Sequence, residues 1–226
     1  MTAPGALHAG VSRSALLANA RLAREAGDGV ADVRRDAFGH GVAAVSAALA
    51  AAGVREVRAD ESARAAVAAA GLTVTQAAPT LDSRTLYGLP GGAGMPAMRI
   101  AGSVLSVKPL LAGEGVSYGH THIADRDTRI ALVSGGYGQG VVRSLGNRVS
   151  VEIRGALHPI VGRVAMDVCV IDVGASAAAA PGDEVVYFGG DGAARDLLDA
   201  WESVTGLTAA EIVCTLGLRV PREDAA

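Results

Sequence analysis

In the first ninety positions, apolar residues recur at helical spacing and alternate with short strand-like runs. Three helices are predicted, over 12–26, 42–52 and 60–70. Two strands are predicted, over 29–33 and 54–57. The second and third helices run into Gly53 and Gly71, and glycine is common just beyond a helix C-terminus. Because strands and helices alternate, this part predicts a parallel βαβ unit, whereas residues 1–10 show no period and are predicted to be disordered.

Beyond residue 97 the pattern changes to short apolar runs, separated by glycine and aspartate turns. Strands are predicted over 99–107, 129–134, 148–153, 158–161, 164–173 and 184–188. Two helices are predicted, over 193–205 and 208–216. Six or more short strands with such turns are typical of a β-barrel or sandwich. The Gly- and Pro-rich segment 90–96 is therefore predicted to link a domain over 1–89 to one over 97–226.

Composition limits the class of protein. The chain has 226 residues, half of them hydrophobic, which is enough for one large or two small domains with a sizeable core. The net charge of −3 gives no electrostatic case for nucleic acid or an anionic membrane as partner. No signal peptide and no apolar run of about 20 residues is seen, so we expect a cytoplasmic protein. The two cysteines, Cys169 and Cys214, are too few for a disulfide framework.

Five short motifs follow one another in the second part of the chain. They read Gly-Glu-Gly-Val-Ser-Tyr-Gly (113–119), Gly-Gly-Tyr-Gly-Gln-Gly-Val-Val-Arg (135–143), Gly-Arg-Val-Ala-Met-Asp (162–167), Pro-Gly-Asp (181–183) and Arg-Val-Pro-Arg (219–222). Their order and spacing resemble the C-terminal β-domain of alanine racemase, an enzyme that uses pyridoxal phosphate (PLP). The resemblance implies that Tyr118 is one of two catalytic bases. It also implies that Met166 and Asp167 match a Met-Asp pair whose methionine backbone contacts the substrate carboxylate.

The resemblance extends to the first part of the chain. Residues 33–41 read Val-Arg-Arg-Asp-Ala-Phe-Gly-His-Gly, where the family has Val-Lys-Ala-Asx-Ala-Tyr-Gly-His-Gly on its first barrel strand and loop. The PLP-binding lysine falls on Arg34, and the tyrosine near the cofactor phosphate falls on Phe38. Residues 81–89 are similar to the last strand of the barrel, and the units between are absent. The implied fold is an α/β remnant of a TIM-type barrel, followed by a mainly antiparallel β-domain.

Several family positions carry a different residue here. The chain contains one lysine, Lys108, although a Schiff base with PLP needs a lysine amine. Arginine cannot replace it, because the guanidinium stays protonated and is a poor nucleophile. The family's Gly-Tyr-Ala-Asp-Gly has Gln139 in place of its aspartate, and Ala210 replaces the tyrosine that borders the active-site entrance.

The candidate residues also have structural interpretations. Tyr118 lies in a Gly-flanked loop, where a tyrosine usually has a structural role. His40 is equally explained as a turn histidine that bonds to the local backbone. Met166 is equally explained as a core residue on a strand. His120 and His122 would share one face of a strand and could hold a metal. No third ligand is evident, so a pair on the surface explains them equally, and no metal site is assigned.

Two classes of function remain open, beside a third option, a decaying gene whose product has no role, which the sequence does not separate from the first. In the first, the chain is a degenerate homologue that neither binds PLP covalently nor racemises alone and acts as a binding or regulatory partner. In the second, it is a working PLP-dependent racemase that interconverts L- and D-alanine for cell-wall precursor supply. In the family the β-domain of one subunit covers the barrel mouth of the other, so we expect a homodimer or a heterodimer with a full-length racemase. Arg34 and the absent barrel units favour the first class; Tyr118 and Met166 favour the second.

Overall fold

The computed structural model describes residues 5–27, 29–117, 119–176 and 178–225. In chain order the first elements are β1 (His8–Ser12), α1 (Arg13–Glu25), β2 (Val30–Asp32), α2 (Arg34–Phe38), α3 (Val42–Ala51), β3 (Glu56–Arg58), α4 (Arg64–Ala69), β4 (Thr73–Val74) and α5 (Ser83–Tyr87). They are followed by β5 (Met98–Leu110), β6 (Gly115–Val116), β7 (His122–Ile123), β8 (Thr128–Ser134), β9 (Ser150–Ile153), β10 (Ala156–Pro159), β11 (Val168–Asp172), β12 (Glu184–Phe188), α6 (Leu198–Thr205), α7 (Ala209–Arg219) and β13 (Arg222–Ala225).

The chain forms two compact units, each built from separate segments. The β unit contains the segment up to Ala9, Arg99–Thr208 and Arg219–Pro221, and the α/β unit contains Gly10–Met98, Ala209–Leu218 and the residues from Arg222 onwards. This division differs from the predicted domains over 1–89 and 97–226, because most of α7 belongs to the α/β unit. The physical reason is close packing: a Cβ on Gly217 would lie 2.5 Å from the carbonyl oxygen of Gly39.

The α/β unit contains the predicted parallel strands. Strands β2, β3 and β4 pair in that order and in parallel, with Val30 opposite Glu56 and Glu56 opposite Thr73. Helix α1 begins at Arg13 because the Ser12 side chain accepts a hydrogen bond from the backbone of Ala15 at 3.1 Å. Strand β4 was not predicted, and it lies in a Thr/Ala-rich segment without a clear period.

Two expectations for this part of the chain are wrong. Residues 8–12 form a strand, although residues 1–10 were expected to be disordered and a helix was expected from residue 12. Residues 83–87, expected to be part of a barrel strand, form the short helix α5. Its physical cause is local: the carboxylate of Asp82 accepts hydrogen bonds from the backbone of Arg84 and Thr85, and Gly88 ends the helix with a left-handed φ of 62°.

The β unit is mainly antiparallel, as predicted. Strand β5 is central: β12 pairs with its first half and β8 with its second half, both antiparallel. Beyond them, β9 pairs with β12, β10 with β9 and β11 with β8. Strands β6 and β7 form a small hairpin. The predicted strand over 164–173 begins only at Val168, so residues 164–167 are free to form a loop.

An aromatic group fills the core of the β unit. Trp201 of α6 is fully buried, with its ring centroid 5.2 Å from that of Phe188 and 6.3 Å from that of Tyr187, both edge-on. The Tyr187 hydroxyl donates to the carbonyl oxygen of Ser134 at 2.7 Å, so its buried polar atom is satisfied. Among the described residues, no helix is long and apolar enough to cross a membrane.

Candidate functional site

The β unit has an open pocket beside the loop that precedes β11. Its volume is about 710 Å³, and its walls include Ser117, Tyr137, Arg143, Arg163, Met166 and Asp167. The Met166 side chain is 56% exposed and that of Tyr137 is 39% exposed. The interpretation of Met166 as a core residue is therefore wrong, because β11 begins after it and leaves its side chain at the surface.

Glycines bring the 135–138 loop directly onto the backbone that carries Met166. Tyr137 donates its backbone N–H to the carbonyl oxygen of Ala165 at 2.9 Å, and Gly138 donates to that of Met166 at 2.8 Å. A Cβ on Gly136 would lie 2.3 Å from the Met166 carbonyl oxygen, so no other residue fits there without movement. The Gly-rich motif at 135–140 thus fixes the backbone on which Met166 and Asp167 stand.

Gln139 connects this loop to Asp167. Its side-chain oxygen accepts from the backbone of Gly136 at 2.9 Å, and its Nε2 donates to Asp167 Oδ1 at 2.9 Å. An aspartate at position 139 would have no donor for Asp167 and would add a second negative charge. Gln139, which stands where the family has an aspartate, therefore supplies the donor that Asp167 needs and adds no charge beside it.

Two arginines border the same pocket. The guanidinium carbon of Arg143 lies 5.8 Å from the ring centroid of Tyr137, within the range of a cation–π contact. Arg163 lines the pocket as well, and its carbonyl oxygen accepts from the Ser117 hydroxyl at 3.0 Å. Sequence reasoning did not select either arginine, although each lies within one of the motifs that carried the resemblance.

Tyr118, the candidate catalytic base, lies outside the described residues. Its neighbours Ser117 and Gly119 have φ angles of 64° and 77°. The two histidines that follow, His120 and His122, do not belong to any metal site that the structure reveals: across the described ranges, no group of three or more His, Cys, Asp or Glu side chains could hold a metal ion.

In the α/β unit, Arg34 is bound by a neighbouring carboxylate. Its Nε donates to Asp32 Oδ1 at 2.9 Å, its Nη2 donates to Asp32 Oδ2 at 2.5 Å, and its backbone N–H donates to Oδ1 at 3.1 Å. The hydrogen bonds and charge of Asp32 raise the pKa of Arg34 above its usual value. Sequence reasoning missed Asp32, which is the last residue of β2 and lies two positions before Arg34.

The turn that follows Arg34 has an unusual conformation. Arg35, Asp36, Ala37 and Phe38 all have φ near 54°, in the left-handed region, although none is glycine. Asp36 accepts from the backbone of Val42 at 2.8 Å and forms an ion pair with Arg222 at 2.6 Å. Arg222 also donates to the carbonyl oxygens of Gly217 and Gly39, at 2.9 and 3.2 Å. These contacts hold the four residues in a conformation that they would otherwise avoid.

Aromatic rings cover the inner side of this turn. The ring centroid of Tyr87 lies 5.0 Å from that of Phe38 and 4.7 Å from that of His40. His40 is buried, and its Nδ1 lies 3.1 Å from the carbonyl oxygen of Ala37, as the local interpretation of this histidine expects. Burial lowers the pKa of His40 to about 4, so the ring is neutral at neutral pH.

The comparison with known proteins gives the family. The family profile described as "Alanine racemase, C-terminal domain" matches residues 97–224, more than half of the chain. The chain belongs to the alanine racemase family. The alanine racemase of Mycobacterium leprae (strain TN) is 43% identical over 129 residues, which cover 57% of this chain and 33% of the relative. The chain thus spans about a third of the length of the curated relatives it matches.

Solved alanine racemases share the fold. The enzyme from Streptomyces coelicolor A3(2) has a TM-score of 0.78 at 21% identity, covering 96% of this chain and 97% of that chain. The enzyme from Bartonella henselae, with covalently bound pyridoxal phosphate, has a TM-score of 0.73 at 17% identity, covering 98% of this chain and all of that chain. These likenesses support the fold.

The residues of the Arg34 turn do not fit the covalent PLP of this family. An aldimine needs a neutral amine, whereas Arg34, which the resemblance places at the lysine position, is a guanidinium with two of its nitrogens bonded to Asp32. Lys108, the one lysine of the sequence, is exposed on β5 in the β unit. Phe38, which the resemblance places at the position of the phosphate-side tyrosine, has no hydroxyl to offer a phosphate.

Proposed function

We propose that this chain is a non-racemising member of the alanine racemase family that pairs with an intact alanine racemase. It would present the pocket face of its β unit, around Tyr118, Tyr137 and Met166, to the barrel of that partner. The observation that carries the proposal is the ion pair between Asp32 and Arg34, at the position matching the PLP lysine. The racemase loses its defining covalent attachment there, while the face that meets a second subunit in the family is retained.

Chemistry at position 34 supports the first half of the proposal. A Schiff base forms when a neutral amine attacks the aldehyde of PLP, and a guanidinium keeps its proton at any physiological pH. Asp32 strengthens this effect, because its hydrogen bonds raise the pKa of Arg34 further. The side chain is also committed: its Nε and Nη2 are already bonded to the carboxylate.

The carboxyl edge of the small parallel sheet supports it as well. Ligands in open α/β folds bind at this edge, beyond the ends of the strands. Here the chain's own groups bond to each other at that edge: Arg58 donates to the carbonyl oxygen of Gln76 at 2.6 Å, and Arg35 donates its backbone N–H to Asp60 at 2.6 Å. Three parallel strands are also too few to close a barrel. We interpret the α/β unit as a remnant of a TIM-type barrel.

The choice of partner follows from this remnant. If two copies of this chain paired as the family does, each pocket face would meet a sheet that has no barrel mouth. An intact racemase has such a mouth. The exposed Met166 and Tyr137 give the pocket face the apolar and aromatic character that is common in the centre of interfaces.

Cofactor trapping tests the absence of covalent PLP. The purified chain is incubated with PLP, reduced with borohydride and mapped by mass spectrometry, with an intact racemase as the positive control. We expect no adduct in residues 30–41 and no racemisation of alanine. A low level of labelling would lie on Lys108 or the N-terminal amine. A reducible adduct within residues 30–41 would contradict the proposal.

Sedimentation tests the pairing. The purified chain is centrifuged alone and with the intact alanine racemase of the same organism, at micromolar concentrations. We expect the chain to co-migrate with the racemase. The interface should bury more than the roughly 1,200–2,000 Å² of a standard complex. Self-association without binding to the racemase would make the chain a homodimer. A monomer that never co-migrates would remove pairing altogether.

A working PLP-dependent racemase is the second candidate. One observation favours it: the alanine racemase of Mycobacterium leprae (strain TN) is 43% identical over 129 residues. Met166 and Asp167 also lie within residues 97–224, which match the C-terminal domain of the family. The test is racemisation of a small amino acid by the purified chain with added PLP. Turnover above that of free PLP would favour this candidate over the first.

A further inference from the structure

The Gln139 side chain joins two parts of the pocket wall, and both of its ends are used. Its oxygen accepts from Gly136, in the loop that carries Tyr137, and its nitrogen donates to Asp167, next to Met166. Both distances are 2.9 Å, which is the usual length of such a bond. The glutamine amide supplies an acceptor at one atom and a donor at the other at any pH, whereas a glutamate of the same length does so only when it is protonated.

Asp167 is the group whose position this bond controls. Among the described residues that line the pocket, the charged ones are Arg143, Arg163 and Asp167, so it supplies the single carboxylate. The side chain is exposed, and an exposed carboxylate would otherwise sample several orientations. The bond to Gln139 holds Oδ1 and leaves Oδ2 as the atom available to another molecule.

Gly138 makes room for this arrangement. A Cβ at that position would lie 3.0 Å from the Met166 carbonyl oxygen and 3.7 Å from Asp167 Oδ1. The first distance is shorter than a normal contact, so even a methyl group would press on the Met166 backbone. Positions 138 and 139 both differ from the family's Gly-Tyr-Ala-Asp-Gly, and both differences favour the same placement of Asp167.

We infer that Gln139 is a positioning residue, which fixes the Asp167 carboxylate as an acceptor at the pocket face for a donor group of the partner subunit. The inference rests on the proposed pairing with an intact racemase. It adds the atom through which the pocket makes a polar contact and the residue that controls that atom. With Gln139 neutral, the described lining keeps two positive charges against one negative charge, so Asp167 is not repelled by a neighbouring carboxylate.

Three variants separate positioning from simple stability. Gln139→Glu keeps the length and the acceptor for Gly136, but it removes the donor and places a second carboxylate beside Asp167. Asp167→Asn removes the charge. The double variant Gln139→Glu with Asp167→Asn exchanges amide and carboxylate, so that the hydrogen bond can form in the opposite direction.

The first measurement is made on the chain alone, by NMR titration of the two carboxyl groups in Gln139→Glu. Two carboxylates within hydrogen-bonding distance cannot both ionise freely, so one pKa should rise well above the ordinary value for glutamate. In the double variant the remaining carboxyl at position 139 should not show this rise. If both carboxyls of the single variant titrate normally, Gln139 does not hold Asp167 and the inference is overturned.

The second measurement is affinity for the intact racemase at pH 8 and at pH 5. We expect Gln139→Glu to weaken binding about tenfold at pH 8, because one hydrogen bond is lost and a repulsion is gained. The loss should shrink at pH 5, where the pair holds a proton that can restore the bond. The double variant should bind within about threefold of Asp167→Asn. A merely structural role would give losses that do not depend on pH.

The two measurements keep the two proposals apart. If the unmodified chain does not bind the racemase, the proposed function fails, and the NMR titration still decides whether Gln139 positions Asp167. If the unmodified chain binds and Gln139→Glu binds equally well at both pH values, the proposed function stands and the role of Gln139 in it is overturned.

Discussion

The Arg34 turn and the Met166 pocket, two regions whose motifs resemble those of one family, have opposite character. In the turn, Arg34 bonds to Asp32 and Asp36 bonds to Arg222, while His40 Nδ1 bonds to the backbone of Ala37. In the pocket, Met166 and Asp167 are exposed, and Asp167 accepts a hydrogen bond from Gln139. Polar groups that are satisfied internally stabilise a fold, whereas exposed ones remain available for another molecule.

This difference separates two kinds of site within one chain. In the turn, Arg34 and Asp36 each have a partner of opposite charge. The pocket leaves Met166 and Asp167 exposed. A close match of sequence motifs therefore identifies ancestry more securely than it identifies chemistry.

The largest effect should come from Met166→Asp in the pocket. If the pocket face is the contact, this change buries an unpaired charge and costs several kcal/mol, so binding to the intact racemase should fall about a hundredfold or more. Sedimentation of the mixture measures it. Leu157→Asp is the matched control, since Leu157 is also an exposed apolar residue and does not line the pocket. Equal binding by a folded Met166→Asp protein would move the interface elsewhere.

Lowering the pH should reduce the free energy of unfolding through His40 in the turn rather than through the pocket. The pKa of His40 is about 4 in the folded protein, and an unfolded histidine has a pKa near 6.5. The unfolded chain therefore binds the proton more tightly. The contribution of neutral His40 to the free energy of unfolding is fully present above about pH 6.5 and is lost as the pH falls towards 4. The loss from this group is about 3 kcal/mol at pH 4.

Urea unfolding at pH 7 and pH 4.5 measures that loss, with His40→Phe as the comparison. The variant keeps an aromatic ring beside Tyr87 and cannot titrate, so its stability should depend less on pH than that of the unmodified chain. Carboxylates contribute to the slope in both proteins and cancel in the difference. Identical slopes would mean that His40 is not buried as a neutral ring.

Arg222→Ala should lower the free energy of unfolding by about 2 kcal/mol, because it removes contacts that hold the turn. The change removes the ion pair with Asp36 and the hydrogen bonds to two carbonyl oxygens, and hydrogen bonds to charged groups contribute roughly 1.5–3 kcal/mol. Thermal unfolding should show a shift of a few degrees. Arg222→Lys keeps the charge without the planar fork, so it should recover part of the loss. Full recovery would show that charge alone holds the turn.

The smallest effect should come from Arg34→Lys, which restores the residue type of the family. We expect no stable PLP adduct at neutral pH, because Asp32 favours the charged ammonium and only the neutral amine attacks PLP. Asp32→Asn combined with Arg34→Lys should give more adduct than Arg34→Lys alone, as judged by absorbance and borohydride trapping. A strong adduct in the single variant would show that the turn still accommodates PLP.

Sequence patterns gave the elements whose causes are local. Strand β12 has the predicted bounds at Glu184 and Phe188. Helix α3 ends close to the predicted Gly53, which has the left-handed φ of 85° that such a residue adopts. In each case the neighbouring residues determine the conformation, so a short window of sequence contains the cause.

Elements with distant causes were missed. No sequence rule predicts four left-handed residues without glycine at 35–38, since Arg222 holds them from the far end of the chain. The helix at 83–87 is an exception, because its cause is local: the Asp82 side chain caps it, whereas the family resemblance implied a strand. At the pocket, the position of Met166 followed from its motif, but the bond from Gln139 to Asp167 depends on the three-dimensional fold.

The buried aromatic group of the β unit has one more consequence, which is optical. The sequence contains one tryptophan, and that residue, Trp201, lies fully buried against Tyr187 and Phe188. When it is excited at a wavelength that tyrosine does not absorb, its fluorescence reports the unfolding of the β unit, which carries the pocket, and the α/β unit gives no signal. Comparing fluorescence with a helix-sensitive circular dichroism signal would show whether the two units unfold together, with no label added to the chain.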